Sequence, residues 1–167
     1  MSLGRFRRLG AAWVMLAAVL AFAPPAVGAD TPPLSTVAPA QWLPGYDAVR
    51  LALVADDEAA AIASAQALAT SAGGDTEIAA AAGKVATATD TAARRAAFAD
   101  LSRVVLLRLS NPGSPRVLAY HCPMYAGFAY WVQPKAGIAN PYMGRAMPEC
   151  GEEVSLRAAV KAAEAPR

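Results

Sequence analysis

Between Tyr46 and Leu109 apolar residues recur three or four positions apart with small alanines between them, and this spacing predicts helices. Tyr46, Val49 and Leu53 form one stripe; Ile62 and Leu68, with Gln66 at the margin, form the next. The acids Asp56-Asp57-Glu58 suit the positive end of a helix dipole and can cap a new start, so a break or kink is expected near Ala55. Gly73-Gly74-Asp75 ends the second segment. Glu77 to Thr89 reads as a weak, Ala-rich helix that tolerates Gly83, and Asp90-Thr91 supplies the cap for a helix from Ala92 to Leu109. There Phe98, Leu101, Val105 and Leu109 make the buried stripe, while Arg94, Arg95, Asp100, Arg103 and Arg108 fall largely off it. Asn111-Pro112-Gly113 stops the run. Short helices with one apolar face each bury those faces only against one another, so the expected fold class is all-α, a small antiparallel bundle of three or four helices.

The pattern changes at Arg116. Val117 to Tyr120 is a short extended run, and from there to Gly151 lie both Cys, the single His and every Met beyond the N-terminal segment. Pro123, Pro134, Pro141 and Pro148, alternating with Gly127, Gly137, Gly144 and Gly151, forbid a continuous helix. The expectation is a shaped, Cys/Met/aromatic-rich loop over 117–152 packed on the bundle, because its density of aromatics argues against disorder.

Composition changes the picture at the N-terminus. Arg5, Arg7 and Arg8 precede a short apolar run from Ala11 to Ala23, and Ala26-Val27-Gly28-Ala29 offers small residues at a cleavage site. Residues 1–29 therefore read as a signal peptide cut after Ala29, which places the mature chain in the periplasm or outside the cell. Pro24-Pro25 closes the run before the roughly 20 residues that a spanning helix needs, so no membrane span is expected after cleavage. Removing this segment takes three Arg and no acid, turning the net charge from +2 to −1. That balance argues against a nucleic-acid partner. Residues 30–44, rich in Pro, Thr and Ser, read as a flexible lead-in, and residues 45–160 as one domain.

Two Cys and one His exclude a disulfide-dense scaffold and a four-cysteine zinc site, so the positions of these few ligands matter. In order along the chain stand His121-Cys122-Pro123-Met124, Tyr130-Trp131, Asn140-Pro141-Tyr142-Met143-Gly144, Met147 and Cys150-Gly151. This ordered set resembles a bacterial periplasmic domain family whose members stand alone as exported proteins or are fused to adaptor subunits of copper/silver-type heavy-metal efflux pumps. The resemblance is close over Tyr120 to Glu152 and loose over the rest of the mature chain. It implies a helical bundle, a role in metal handling and an efflux component as partner, but no particular reaction. Met143 departs from the family pattern, which more often has an aromatic residue before the Gly.

The residue chemistry points the same way. Thiolate and thioether together select Cu(I) and Ag(I) over Zn(II), Mg(II) or Ca(II), and carboxylates only flank the last Cys, at Glu149, Glu152 and Glu153. The candidate metal ligands are Cys122, Met124, Met147 and Cys150, with His121 and Met143 as further donors and Trp131 as a cation–π partner. Each has a plainer role beside this one. Cys122 and Cys150 can form a disulfide in an oxidising compartment, and the methionines can fill gaps in packing. His121 is expected to face away from Cys122, since neighbours in an extended run alternate. Trp131, Tyr130 and Tyr142 can be core anchors, and Asn140, Pro141 and Gly144 can simply make a turn. No nucleophile elbow, phosphate loop, paired carboxylates or Cys-X-X-Cys motif is present, so the chain is expected not to be an enzyme. The alternative to a metal binder is a disulfide-stapled module that docks a partner through its Tyr/Trp/Met-rich loop.

Overall fold

A computed structural model describes residues 40–111 and 113–166. The signal peptide expected over 1–29 and most of the lead-in lie outside the described residues.

Four helices come first: α1 (Leu43–Val54), α2 (Glu58–Ser71), α3 (Thr76–Thr87) and α4 (Thr91–Leu109). Three of their starts are capped by aspartates: Asp57 and Asp90 stand where the sequence placed caps, whereas Asp75, read as the end of the segment before it, caps α3. Asp57 accepts from the Ala60 N–H at 2.9 Å, Asp75 from the Glu77 and Ile78 N–H groups, and Asp90 from the Ala93 N–H at 2.8 Å. Each satisfies donors that a helix N-terminus leaves without partners. α1 has no side-chain cap but carries Pro44 in its first turn, where a missing N–H costs nothing, so this helix begins inside the stretch read as lead-in.

Consecutive helices pack through Ala61, Ala65, Ala81 and Ala82, whose small side chains let the backbones approach, around Tyr46, Leu68, Ile78, Phe98, Leu101 and Val105. Tyr46 also stacks on Phe98 at 5.2 Å and shares a 2.8 Å hydrogen bond with Ser102, joining α1 to α4 inside the core. Arg94, off the apolar stripe of α4, is nevertheless buried. Its guanidinium reaches Glu58 at 2.5 Å and the Ala88 carbonyl at 2.6 Å, tying α4 to the start of α2 and the end of α3.

The all-α expectation is wrong, because the protein is an α+β mix. The segment read as an irregular loop contains β1 (Leu118–His121), β2 (Tyr130–Gln133) and β3 (Glu152–Val154), an antiparallel sheet in the order β2-β1-β3. A short 3-10 turn, Gly144–Ala146, lies between β2 and β3, and a fifth helix, α5 (Leu156–Glu164), follows with Ser155 as its cap. Strands of three or four residues are too short to show a period of two. What stabilises them is pairing with partners distant in sequence: Tyr120 opposes Trp131 on one side and Glu153 on the other. α4 packs on β2, and α5 covers α4 and β1, so the sheet is fixed to the helical layer. Arg103 of α4 donates to the carbonyls of Ala163 and Ala165, closing the end of α5.

Asp75 links a cap to the packing of α3 on α4, since Arg108 Nε donates to its carboxylate at 2.6 Å. Burial alone would raise the Asp75 pKa, but hydrogen bonds from Arg108 and from the Ile78 and Glu77 N–H groups outweigh it and hold the carboxyl below its ordinary 3.8. A carboxyl lowered by folding stabilises the protein above its unfolded pKa, and the contribution is lost as pH falls through the folded value. Asp75→Asn keeps the cap but loses the charge, so it should cost about 1 kcal/mol or less near neutral pH. The urea midpoints of variant and wild type should converge as pH drops below about 4, the ordinary Asp range. A gap that persists at low pH would show that the ion pair is not its source.

Candidate metal centre

Two proline turns face each other at the end of the sheet. β1 stops at His121, and the Cys122 N–H extends its ladder by one bond, donating to the Ala129 carbonyl at 3.0 Å. The chain then turns through Cys122-Pro123-Met124-Tyr125, closed by the Tyr125 N–H on the Cys122 carbonyl at 3.4 Å. The second turn, Met147-Pro148-Glu149-Cys150, is closed by the Cys150 N–H on the Met147 carbonyl at 3.2 Å. In both, proline occupies the second position, where its fixed φ favours a turn. Each turn has a Cys at one corner and contains a Met, and the Cys122 and Cys150 Sγ atoms lie 3.8 Å apart.

Asn140 holds the second turn in place. Its Oδ1 accepts from the Tyr142 and Met143 N–H groups at 2.8 and 3.2 Å, its Nδ2 donates to the Cys150 carbonyl at 2.5 Å, and its own N–H donates to the Pro148 carbonyl at 2.8 Å. A fully buried side chain thus spans the ten residues from the start of this segment to the cysteine. The segment is also fastened to the helices. Asp56, between α1 and α2 and in the left-handed region at φ 51°, accepts from the Arg145 N–H at 2.9 Å and from Arg95 at 2.5 Å. Arg95 in turn donates to the Pro141 carbonyl at 3.2 Å. Gly144 sits against this cluster at φ 54°, and a Cβ there would overlap the Asp56 carboxylate and the Arg95 guanidinium. Gly151 is closed off in the same way by Trp131 and the His121 carbonyl.

The candidate residues fall into three groups. Cys122 and Cys150 meet; Cys122 is wholly buried, whereas Cys150 keeps partial access to solvent. Met124 and Met147 stand out from the two turns, 65% and 38% exposed, and are two of the three large hydrophobic residues so exposed among the described residues. The others point elsewhere. His121 stacks on Tyr130 at 4.5 Å and its Nδ1 lies 3.2 Å from Glu152, its cross-strand neighbour on the face opposite to Cys122. Met143 is half-buried against the core. Trp131 is buried, stacked on Tyr120 at 5.4 Å, with Nε1–H donating to Gln133. Tyr142 is buried between Phe98 and Trp131 and donates its hydroxyl to the Tyr130 carbonyl; that burial pushes its pKa well above 10.0.

Among the described residues no three His, Cys, Asp or Glu side chains converge as a metal cage. Any metal held here therefore depends on the two thiols and the neighbouring thioethers. Partial burial, followed by the hydrogen bond and charge of Cys122 beside it, pushes the Cys150 thiol above its ordinary 9.0. Near neutral pH the Cys150 thiol therefore keeps its proton, and a metal has to displace it.

Compared with known proteins, the chain matches no family model, no curated protein and no solved structure. The positioning residues Asp56 and Arg95 escaped sequence reasoning. Asp56 read as part of a helix cap, and the cap is in fact Asp57, while the partner of Asp56 lies 89 residues away at Arg145. No local pattern carries such a contact.

Proposed function

We propose that this chain binds a soft monovalent metal ion, Cu(I) or Ag(I), between Cys122 and Cys150, uses Met124 and Met147 as exchangeable thioether donors, and buffers the ion or passes it on by ligand exchange. The observation that carries this reading is the 3.8 Å sulfur separation. With metal–thiolate bonds of about 2.3 Å, as at zinc, one ion bridging these sulfurs subtends an angle of about 110°, so neither turn has to move. A sulfur-only donor set excludes hard cations and favours the copper group. Donors on the surface suit transfer, because an acceptor can replace Met124 or Met147 before the thiolates let go. The signal-like N-terminus and the family resemblance add export and an efflux component as the expected setting and recipient; among the described residues no helix is long and apolar enough to cross a membrane.

The test is a thiol count on trapped, denatured protein with metal analysis of the same sample, followed by Cu(I) titration against a competing chelator. One Cu(I) per chain, with both thiols protected, is expected. Fully reduced protein that takes up no Cu(I) would overturn the reading. Met124→Leu with Met147→Leu keeps side-chain volume at two exposed positions and removes both thioethers. The double variant should fold as wild type and bind Cu(I) about tenfold more weakly, equivalent to about 1.4 kcal/mol. Unchanged affinity would remove the methionines from the ligand set.

The same sulfur contact favours a second reading, a disulfide-stapled module without metal. Its docking face would consist of exposed Met124 with half-buried Tyr125, Phe128 and Tyr130, because Trp131 and Tyr142 are buried. Protein isolated with no free thiols and no metal would select it.

A further inference from the structure

We propose that Cys122 and Cys150 also form a thiol–disulfide exchange site for small-molecule disulfides, entered at Cys150 and resolved by Cys122. The two sulfurs are in contact but unequally placed. Exchange requires the attacking sulfur to line up with both atoms of the incoming disulfide, which needs open space on one side. Cys150 has that access; Cys122, with no exposed surface, has none. The second step needs proximity instead of access. At 3.8 Å the two sulfurs are close to the roughly 3–3.5 Å of a near-attack arrangement. Both backbones are already fixed, Cys122 by its bond to Ala129 and Cys150 by Asn140 and Met147. Closure therefore requires little further ordering, and internal attack should outrun a second external disulfide.

The Cys150 thiol gives its proton to solvent, and its sulfur attacks one sulfur of RSSR. A Cys150–SR mixed disulfide forms, and RS⁻ leaves and takes up a proton. Cys122 then loses its proton, and its sulfur attacks Cys150 Sγ. The second RS⁻ leaves and is protonated, so the protein has given up two electrons and RSSR has become two RSH. On the proposed function, this reaction also releases metal, since neither sulfur of a disulfide is a thiolate ligand.

The test treats metal-free, fully reduced full chain with oxidised glutathione and follows it by intact-mass analysis and thiol labelling. Wild type should lose both thiols and retain no glutathione. Cys122→Ala should stop at one glutathione on Cys150. Cys150→Ala should stay unmodified while folded and become modified once denatured, showing that burial alone protects Cys122. Three outcomes would overturn the proposal: stable glutathione on wild type, equal rates for the folded single variants, or unreactive wild-type thiols. The first and third need no variant, so misfolding of a variant cannot obscure them. Repeating the wild-type reaction after loading with Ag(I) tests the metal reading separately. Protection by Ag(I) supports both proposals, and an unchanged rate counts against metal at this pair while leaving the exchange chemistry intact.

Discussion

Cys122→Ser is expected to lower Cu(I) affinity by more than the roughly 10–100-fold that loss of an outer-shell partner costs, because it removes one of two thiolates and offers a hard hydroxyl instead. The same residue is fully buried, so a serine hydroxyl left without a partner would cost about 1–3 kcal/mol of stability. Cys150→Ser avoids that complication, since Cys150 is partly exposed, and it should lose affinity to the same degree. Chelator competition on both variants, with thermal melts alongside, separates ligand loss from unfolding. Wild-type affinity in a folded Cys150→Ser protein would remove the thiol pair from the proposed centre.

Asn140→Ala is expected to cost about 3 kcal/mol, since it leaves the Tyr142 and Met143 N–H groups and the Cys150 carbonyl without their partners, at roughly 1 kcal/mol each. For a domain of this size the melting temperature should fall by roughly 10 °C. Asn140→Asp is the informative companion. It keeps an acceptor for the two N–H groups but sets a carboxylate oxygen against the Cys150 carbonyl, so it should damage Cu(I) binding more than it damages the Tyr142 end of the loop. Melting temperatures for both variants within about 2 °C of wild type, less than 1 kcal/mol on that scale, would show that Asn140 does not organise the turn.

Much of the helical half was readable. Apolar residues spaced three and four apart marked the helices, and Asp57 and Asp90 marked two starts to within a residue or two, while Asp75, read as the end of the segment before it, caps α3. These are local signals, because capping bonds reach only two or three residues along the chain. The tenor of the C-terminal third was also readable: Cys122 and Cys150 stood out by chemistry, and Asn140-Pro141 as a turn. Its architecture was not. Tyr130-Trp131-Val132-Gln133 has three consecutive buried residues, with no alternation to mark a strand, and Glu152-Glu153-Val154 is exposed and charged at two of its three positions. α5 has only nine residues, and its buried stripe is two alanines, Ala159 and Ala163, too small to mark an apolar face, although Ser155 is a local capping signal.

By itself, then, the sequence determined the capped starts of α2 and α4, the apolar faces that pack α1 to α4 together and the inventory of soft ligands, all through side-chain type and short-range spacing. Tertiary structure alone decided that β1 pairs with β2 and β3, which turned an expected all-α bundle into an α+β domain. It decided, too, that His121 faces Glu152, that Asp56 fastens Arg145, and that the Cys122 and Cys150 sulfurs meet at 3.8 Å. Each of these contacts joins residues 28 or more positions apart, and such pairs gain their energy only after the chain between them has been ordered.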